Sequence, residues 1–298
     1  MIVLVVVDVV LVALALSRTA PESNGSPGPV PTFTSTPGPD RTDRPAMSAT
    51  PSATPAAGPD SADGDATAEA RLLSAVDAKT AWRSTRTQCG GSTVVERTAD
   101  GGVTWQAVDL ESDVDAIYAI RAQAGSVSLL VGVGTDCTPA VRTTTDAGSS
   151  WKPGAVGDAG AGVTPAGIVL RSGMVASPCP QPREAFQGSY TATVVCADGV
   201  VQWRQGSGPW VAVPIAGVRS LADAGDSYTL ARTGVAGCAG VSIDSLRATG
   251  VTTATKTTTL GCAARATASG PAVARTASAT WLWSGDDVLV STDGGATW

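Results

Sequence analysis

The chain has 298 residues, a formal net charge of −6 at pH 7, three lysines and no histidine. An acidic chain without a basic stripe is a poor partner for nucleic acid. The lack of histidine removes every Ser-His and Cys-His mechanism and, with no CxxC spacing, leaves no zinc site to expect; no cofactor is expected either.

Ile2 to Leu16 are apolar except for Asp8, and Arg18 closes the run. About 15 apolar residues make a short bilayer span, and a charge inside it shortens it further. Ala13-Leu14-Ala15 fits a small-x-small cleavage site. Residues 1–18 therefore read as a signal peptide or signal-anchor. The protein is expected to be exported, and either secreted or held at the cell membrane by this segment with its remainder extracytoplasmic.

Residues 19–69 are Pro, Ser, Thr, Gly, Ala and Asp, with ten of the nineteen prolines of the chain. Such a composition cannot bury enough apolar surface to fold. It is expected to be a disordered, partly polyproline linker that holds the next domain off a surface.

Residues 70–298 turn to Val, Ala, Thr, Gly and Trp. One octapeptide recurs there. Thr98-Ala99-Asp100-Gly101-Gly102-Val103-Thr104-Trp105, Thr144-Thr145-Asp146-Ala147-Gly148-Ser149-Ser150-Trp151 and Ser291-Thr292-Asp293-Gly294-Gly295-Ala296-Thr297-Trp298 share the pattern S/T-x-D-x-G-x-T/S-W. The Asp carboxylate accepts from N–H groups of the turn that follows it, and the Gly two residues later admits a positive φ. Flanking hydroxyls tie down the two ends. The Trp folds an apolar face over the turn as the next strand begins. A β-rich stretch precedes each copy, so the unit is strand, polar turn, Trp, strand.

This pattern resembles the Asp-box (BNR) repeat of sialidases, sortilin ectodomains and the photosystem II assembly factor of thylakoids. The resemblance implies a β-propeller, with each box between the third and fourth strands of a blade at its outer edge. Thr98, Asp100, Gly102, Trp105, Thr144, Asp146, Gly148, Trp151, Ser291, Asp293, Gly295 and Trp298 are then structural residues, not catalytic ones. The poverty in Lys and richness in Ala, Val, Gly and Thr resemble exported proteins of high-GC actinobacteria.

The tryptophans set a period. Trp105 to Trp151 is 46 residues, Trp151 to Trp210 is 59, and Trp210 to Trp298 is 88, twice 44. Cys137 and Cys196 each lie 14 residues before a Trp and Cys89 lies 16 before one. Cys89, Cys137, Cys196 and Cys238 thus read as one position in four repeats, near the end of the second strand. Val200 to Trp210 then reads as a worn box; a second register would put Ala197-Asp198-Gly199 there, with Trp203. Four short strands per repeat match propeller blades. Five blades are expected in residues 70–298, with six as the alternative. Residues around Ala68 to Leu73 are expected to supply the missing fourth strand of the last blade, or else the ring is incomplete.

Six cysteines in an exported chain point to an oxidising compartment. Fifteen pairings exist; sequential pairing, Cys89 with Cys137, Cys179 with Cys196 and Cys238 with Cys262, is the expectation. Arg121, Arg171, Arg219 and Arg275 fall in or near expected first strands, where guanidinium groups could form an anion-binding funnel, or pair with acids such as Asp113, Asp115 and Asp223.

The expected function is that of a non-enzymatic propeller, binding a protein, peptide or glycan at the cell surface through blade-connecting loops. Ser177 to Gly188, with Phe186 and Cys179, is the loop most expected to carry a partner. The first alternative is a sialidase-like exo-glycoside hydrolase. The resemblance would then require three arginines on a carboxylate, a Tyr paired with a Glu, and an acidic proton donor; no Arg-Ile-Pro motif is present and Glu is scarce. The second alternative is an assembly or maturation factor for membrane protein complexes, whose relatives recognise partners by a basic patch.

Overall fold

Six antiparallel sheets stand around one axis in the computed structural model, which describes residues 70–298. The segments read above as signal (1–18) and linker (19–69) lie outside the described residues. Blade 1 holds β1 (Arg71–Ala75), β2 (Ala81–Thr85), β3 (Val95–Thr98) and β4 (Gln106–Val108). Blade 2 holds β5 (Val114–Gln123), β6 (Ser126–Val133), β7 (Thr138–Thr144) and β8 (Lys152–Pro153). Blade 3 has three strands, β9 (Gly162–Thr164), β10 (Gly167–Leu170) and β11 (Gly173–Val175). Blade 4 holds β12 (Pro182–Gln187), β13 (Thr191–Cys196), β14 (Val201–Gln205) and β15 (Val211–Val213). Blade 5 holds β16 (Val218–Asp223), β17 (Ser227–Arg232), β18 (Val241–Arg247) and β19 (Thr258–Ala263). Blade 6 has β20 (Ala272–Arg275), β21 (Thr280–Ser284) and β22 (Asp287–Ser291) among the described residues. The first strands β1, β5, β9, β12, β16 and β20 touch in that order, and β20 touches β1.

Local sequence explains the strands. A second strand has a neighbouring blade on each face, so both its faces are buried. It reads as a continuous run, Thr-Ala-Thr-Val-Val-Cys in β13 and Thr-Trp-Leu-Trp-Ser in β21, buried at every position, instead of alternating as a half-solvated strand would. The core is accordingly divided into wedges between blades. Leu72, Trp82 and Val95 of blade 1 meet Val114, Ile117, Leu129 and Val131 of blade 2. Val195, Val201 and Trp203 of blade 4 meet Leu221, Tyr228, Leu230 and Leu246 of blade 5.

The blade count corrects the expectation of five. The 59-residue interval between Trp151 and Trp210 holds an extra blade whose three strands fit within Gly162 to Val175. It has neither a box nor a Trp, so no repeat signal marks it. Glycine allows its compactness: a Cβ on Gly162 would lie 2.5 Å from Leu130 Cδ2. Blade 3 is also inverted. Gly160 faces Arg121 while Gly162 faces Ala119 and the Tyr118 carbonyl, so β9 runs against β5. β8 is only two residues long, so the chain turns back towards the face it came from, and an odd strand number restores the direction for β12.

Closure also departs from expectation. Arg71 to Leu73 belong to the innermost strand of blade 1, paired with Arg83 to Thr85 of β2, and do not complete blade 6. Side chains join the two blades instead. Trp281 of β21, fully buried, donates from Nε1 to the Asp77 carbonyl at 2.8 Å. Arg71 donates to the carbonyls of Ser269 and Gly270 at 3.0 and 3.2 Å. The Arg83 guanidinium lies between the rings of Trp105 and Trp283, 4.2 and 5.0 Å from their centroids. Ala81, Ala274 and Ala279 leave room for Trp281 in this wedge.

Candidate functional site

The three octapeptides share one hydrogen-bond scheme. Asp100 Oδ1 accepts from Thr98 Oγ1 at 2.8 Å and from Thr104 N at 2.9 Å, and Oδ2 accepts from Thr104 Oγ1 at 2.6 Å. Asp146 does the same with Thr144 and Ser150, and Asp293 with Ser291 and Thr297. The first hydroxyl of each turn accepts the N–H of Gly102, Gly148 or Gly295 at 2.9 to 3.0 Å; these glycines have φ of 88°, 92° and 96°. Hydroxyl and amide donors hold the Asp100 and Asp146 carboxyls down to about 2 and lower that of Asp293 as well. Trp105 and Trp298 donate back to the Gly102 and Gly295 carbonyls, while Trp151 donates to the Asp109 carbonyl. Every carboxylate oxygen thus serves the turn itself. Trp210 precedes β15 as Trp105 precedes β4 and Trp151 precedes β8, and Arg204 covers its ring at 4.6 Å.

The disulfides join Cys89 to Cys137, Cys179 to Cys196 and Cys238 to Cys262. Cys89, Cys137 and Cys238 follow the second strands of blades 1, 2 and 5, and Cys196 ends the second strand of blade 4. The first bridge thus links equivalent positions in neighbouring blades. Three disulfides are the chemistry of an extracytoplasmic or secreted protein. Among the described residues no helix is long and apolar enough to cross a membrane.

The first strands enclose a central channel of about 190 Å³. Three bonds of one kind stitch its wall. Ser74 Oγ accepts the Ala122 N–H at 2.9 Å, Glu184 Oε2 accepts the Leu221 N–H at 3.0 Å, and Ser220 Oγ accepts the Val273 N–H at 3.1 Å. In each, a first strand receives an amide from the first strand of the next blade. Glu184 is exceptional because its acceptor is a carboxyl. Burial pushes it up to about 7, against the opposing effects of the Leu221 amide, the Ser220 hydroxyl and the Arg86 guanidinium. Burial in turn lowers Arg86, while Glu184 acts to raise it; Arg86 also donates to the Arg183 carbonyl at 2.7 Å. Sequence reasoning missed Glu184 as a site residue. Proline-rich surroundings made its segment look like a loop, whereas β12 occupies Pro182 to Gln187, with a bulge between Pro182 and Glu184. Phe186 is correspondingly no exposed partner residue; its ring meets Tyr228 at 5.7 Å, edge on. The connection between blades 3 and 4 is only Ala176 to Gln181.

The four arginines do not form one funnel. Arg121 and Arg275 line the channel. Arg219 is on β16, but its guanidinium donates to Thr233 Oγ1 at 3.0 Å and to the Ala197 carbonyl. These partners follow second strands, at the end of the ring opposite the boxes. Arg171 sits in the turn between β10 and β11, outside any first strand, and reaches the face of Arg121 only because blade 3 is inverted. Asp113 pairs with Arg142 at 3.1 Å and with none of the four.

The tyrosines do not meet Glu184. Tyr118 turns its hydroxyl into blade 2, where a Cβ on Gly132 would lie 2.7 Å from it. Tyr228 shares a 2.5 Å hydrogen bond with Thr191 Oγ1, and Tyr190 stands exposed in the β12–β13 turn.

A closed ring of six small antiparallel sheets around a narrow channel defines a β-propeller. Solved structures to which the chain is similar include YCF48 bound to a D1 peptide, at 19% identity and TM-score 0.29, covering 76% of this chain and 65% of that one. A GH74 enzyme of Niastella koreensis matches at 13% identity and TM-score 0.41, covering 76% and 45%. The Hadza microbial sialidase Hz136 matches at 12% identity and TM-score 0.36, covering 77% and 57%. The chain spans less than two thirds of the length of each of these. No protein-family model matches the chain, and no curated protein does.

Proposed function

We propose that this chain is an exported, Asp-box (BNR) propeller of actinobacterial type that binds a protein, peptide or glycan at the cell surface without turning it over. The observation that carries this reading is the use made of Glu184. Its Oε2 is committed to the Leu221 amide in a channel of about 190 Å³, below the roughly 300–1,000 Å³ of small-molecule sites. No tyrosine hydroxyl reaches it, so the Tyr–Glu pair of a sialidase mechanism is missing from its surroundings. The boxes are likewise occupied with their own turns, which leaves recognition to the connections at the two ends of the ring. A second reading, glycoside hydrolysis, is favoured by one fact: a carboxyl titrating near 7 in a channel is suited to proton transfer.

Two measurements test the proposal. A panel of fluorogenic glycosides, sialosides included, is expected to stay uncleaved; cleavage that disappears in Glu184→Gln overturns the non-enzymatic reading. The full chain, immobilised and exposed to cell-envelope extract, is expected to enrich a protein, peptide or glycan over a reduced and unfolded sample of itself. Equal recovery on both overturns the binding reading.

A further inference from the structure

Inversion of blade 3 creates a cleft that the arginine spacing did not reveal. On the face that carries the boxes, Arg121 of β5 and Arg171 of the β10–β11 turn line one opening of about 470 Å³ between blades 2 and 3. That volume falls within the roughly 300–1,000 Å³ of small-molecule sites. Neither guanidinium has a hydrogen bond, ion pair or aromatic ring as partner among the described residues, whereas Arg83, Arg142 and Arg232 each pair with a carboxylate. Arg121 is half-buried and Arg171 exposed. One carboxylate lies on the cleft, Asp158, and its Oδ2 accepts the Ala155 N–H at 2.9 Å. Two cations against one anion leave a positive cleft on a chain of net charge −6.

The backbone holds Arg171 in place. Its N–H donates to Gln187 Oε1 at 2.7 Å, and its stem lies so close to Gly157 that a Cβ there would be 2.3 Å from Arg171 Cγ. Gly157 has φ of 93°, so a side chain is disfavoured there on two counts. The remaining wall is rich in hydroxyls and amide: Ser126, Gln123 and the mutually bonded pair Ser128 and Thr143, 2.8 Å apart. Val156 brings the one large aliphatic side chain of the wall.

We propose that this cleft binds the carboxylate of a uronic-acid sugar. The two guanidinium groups provide charge-assisted donors for the carboxylate. Ser126, Gln123 and the free oxygen of Asp158 match the hydroxyls that fill the rest of a sugar ring. A glutamate side chain would bring its carboxylate on a methylene stem with no ring hydroxyls for that wall, which is why hexaglutamate serves as a comparator. The proposal rests on the binding reading above and names the ligand chemistry for one end of the ring.

The test is calorimetric titration of the full chain with D-glucuronate, with D-glucose and hexaglutamate as comparators. Glucuronate is expected to bind, glucose and hexaglutamate not. Affinity is expected to fall about tenfold or more in Arg121→Gln and in Arg171→Gln, as loss of a hydrogen bond to a charged group implies, and to weaken with added salt. Arg171 is exposed, so Arg171→Gln is expected to keep the melting temperature, and it answers for the site even if Arg121→Gln misfolds. Three results overturn the proposal: no glucuronate binding, glucuronate binding unchanged in Arg171→Gln, or hexaglutamate binding with the same arginine dependence in place of glucuronate. Failure here with envelope enrichment intact refutes the uronate site alone; loss of enrichment refutes the binding reading itself.

Discussion

Glu184→Gln isolates one ionisation in the wall of the ring. Burial raises the Glu184 carboxyl from an ordinary 4.5 to about 7, so the folded chain holds this proton more tightly than the unfolded chain. The stability it contributes is complete below about pH 4.5 and is lost as pH rises through about 7. At 1.36 kcal/mol per pH unit, the shift amounts to about 3 kcal/mol; because the side chain is only half-buried by the ring, about 2–3 kcal/mol is the working figure. For a domain of this size that corresponds to a fall in Tm of roughly 4–12 °C between pH 5 and pH 8. The window is clean, because no histidine titrates in it and the box carboxyls Asp100 and Asp146, held at about 2, change stability only as pH falls below about 4. An amide keeps the shape and still accepts the Leu221 N–H, but cannot ionise. Thermal melts followed by circular dichroism at pH 5 and pH 8 should show the wild-type fall, and Glu184→Gln should abolish most of it. A variant with the wild-type pH slope, or a wild type more stable at pH 8 than at pH 5, would refute the reasoning.

Four further variants probe the framework. Ala147 lies in the left-handed region, with φ of 60°, where the other two boxes carry Gly101 and Gly294; Ala147→Gly should stabilise by about 1 kcal/mol, raising Tm by roughly 2–4 °C in a calorimetric scan. Replacing Cys89 and Cys137 together by Ser opens a bridge spanning 48 residues and should cost about 4 kcal/mol, against about 3 for the Cys179–Cys196 bridge of separation 17; denaturant titration of the two double variants ranks them. Trp281→Phe removes the donor to the Asp77 carbonyl and should destabilise by about 1–3 kcal/mol, with amide exchange quickening first at β1, β20 and β21, on either side of the closure.

The three full boxes were legible residue by residue, because their bonds run within eight positions of chain. Asp, its two hydroxyl neighbours and a positive-φ glycine find each other whatever surrounds them. The cysteine register was legible for the same kind of reason: equivalent positions recur at the blade period. Blade number was not. Gly162 to Val175 carries no box, and its strands of three or four residues are stable only because neighbouring blades cover them on both sides. Glu184 was equally hidden. Nothing local to Pro182-Arg183-Glu184 announces a channel; the carboxyl acquires its raised pKa from the burial that six first strands impose together, which outweighs the opposing pull of the Leu221 amide and the Arg86 guanidinium. Arg219 is separated from Arg121 because it stands near the start of β16 while Arg121 stands near the end of β5; the meeting of Arg121 with Arg171 follows from strand direction in blade 3, which depends on β8 stopping after two residues. Short-range hydrogen bonding thus determined the turns and the β-rich class of this protein from sequence. Blade count, closure by Trp281 and Arg83, and every electrostatic feature of the channel were decided by packing between blades, where the interacting groups stand tens to hundreds of residues apart.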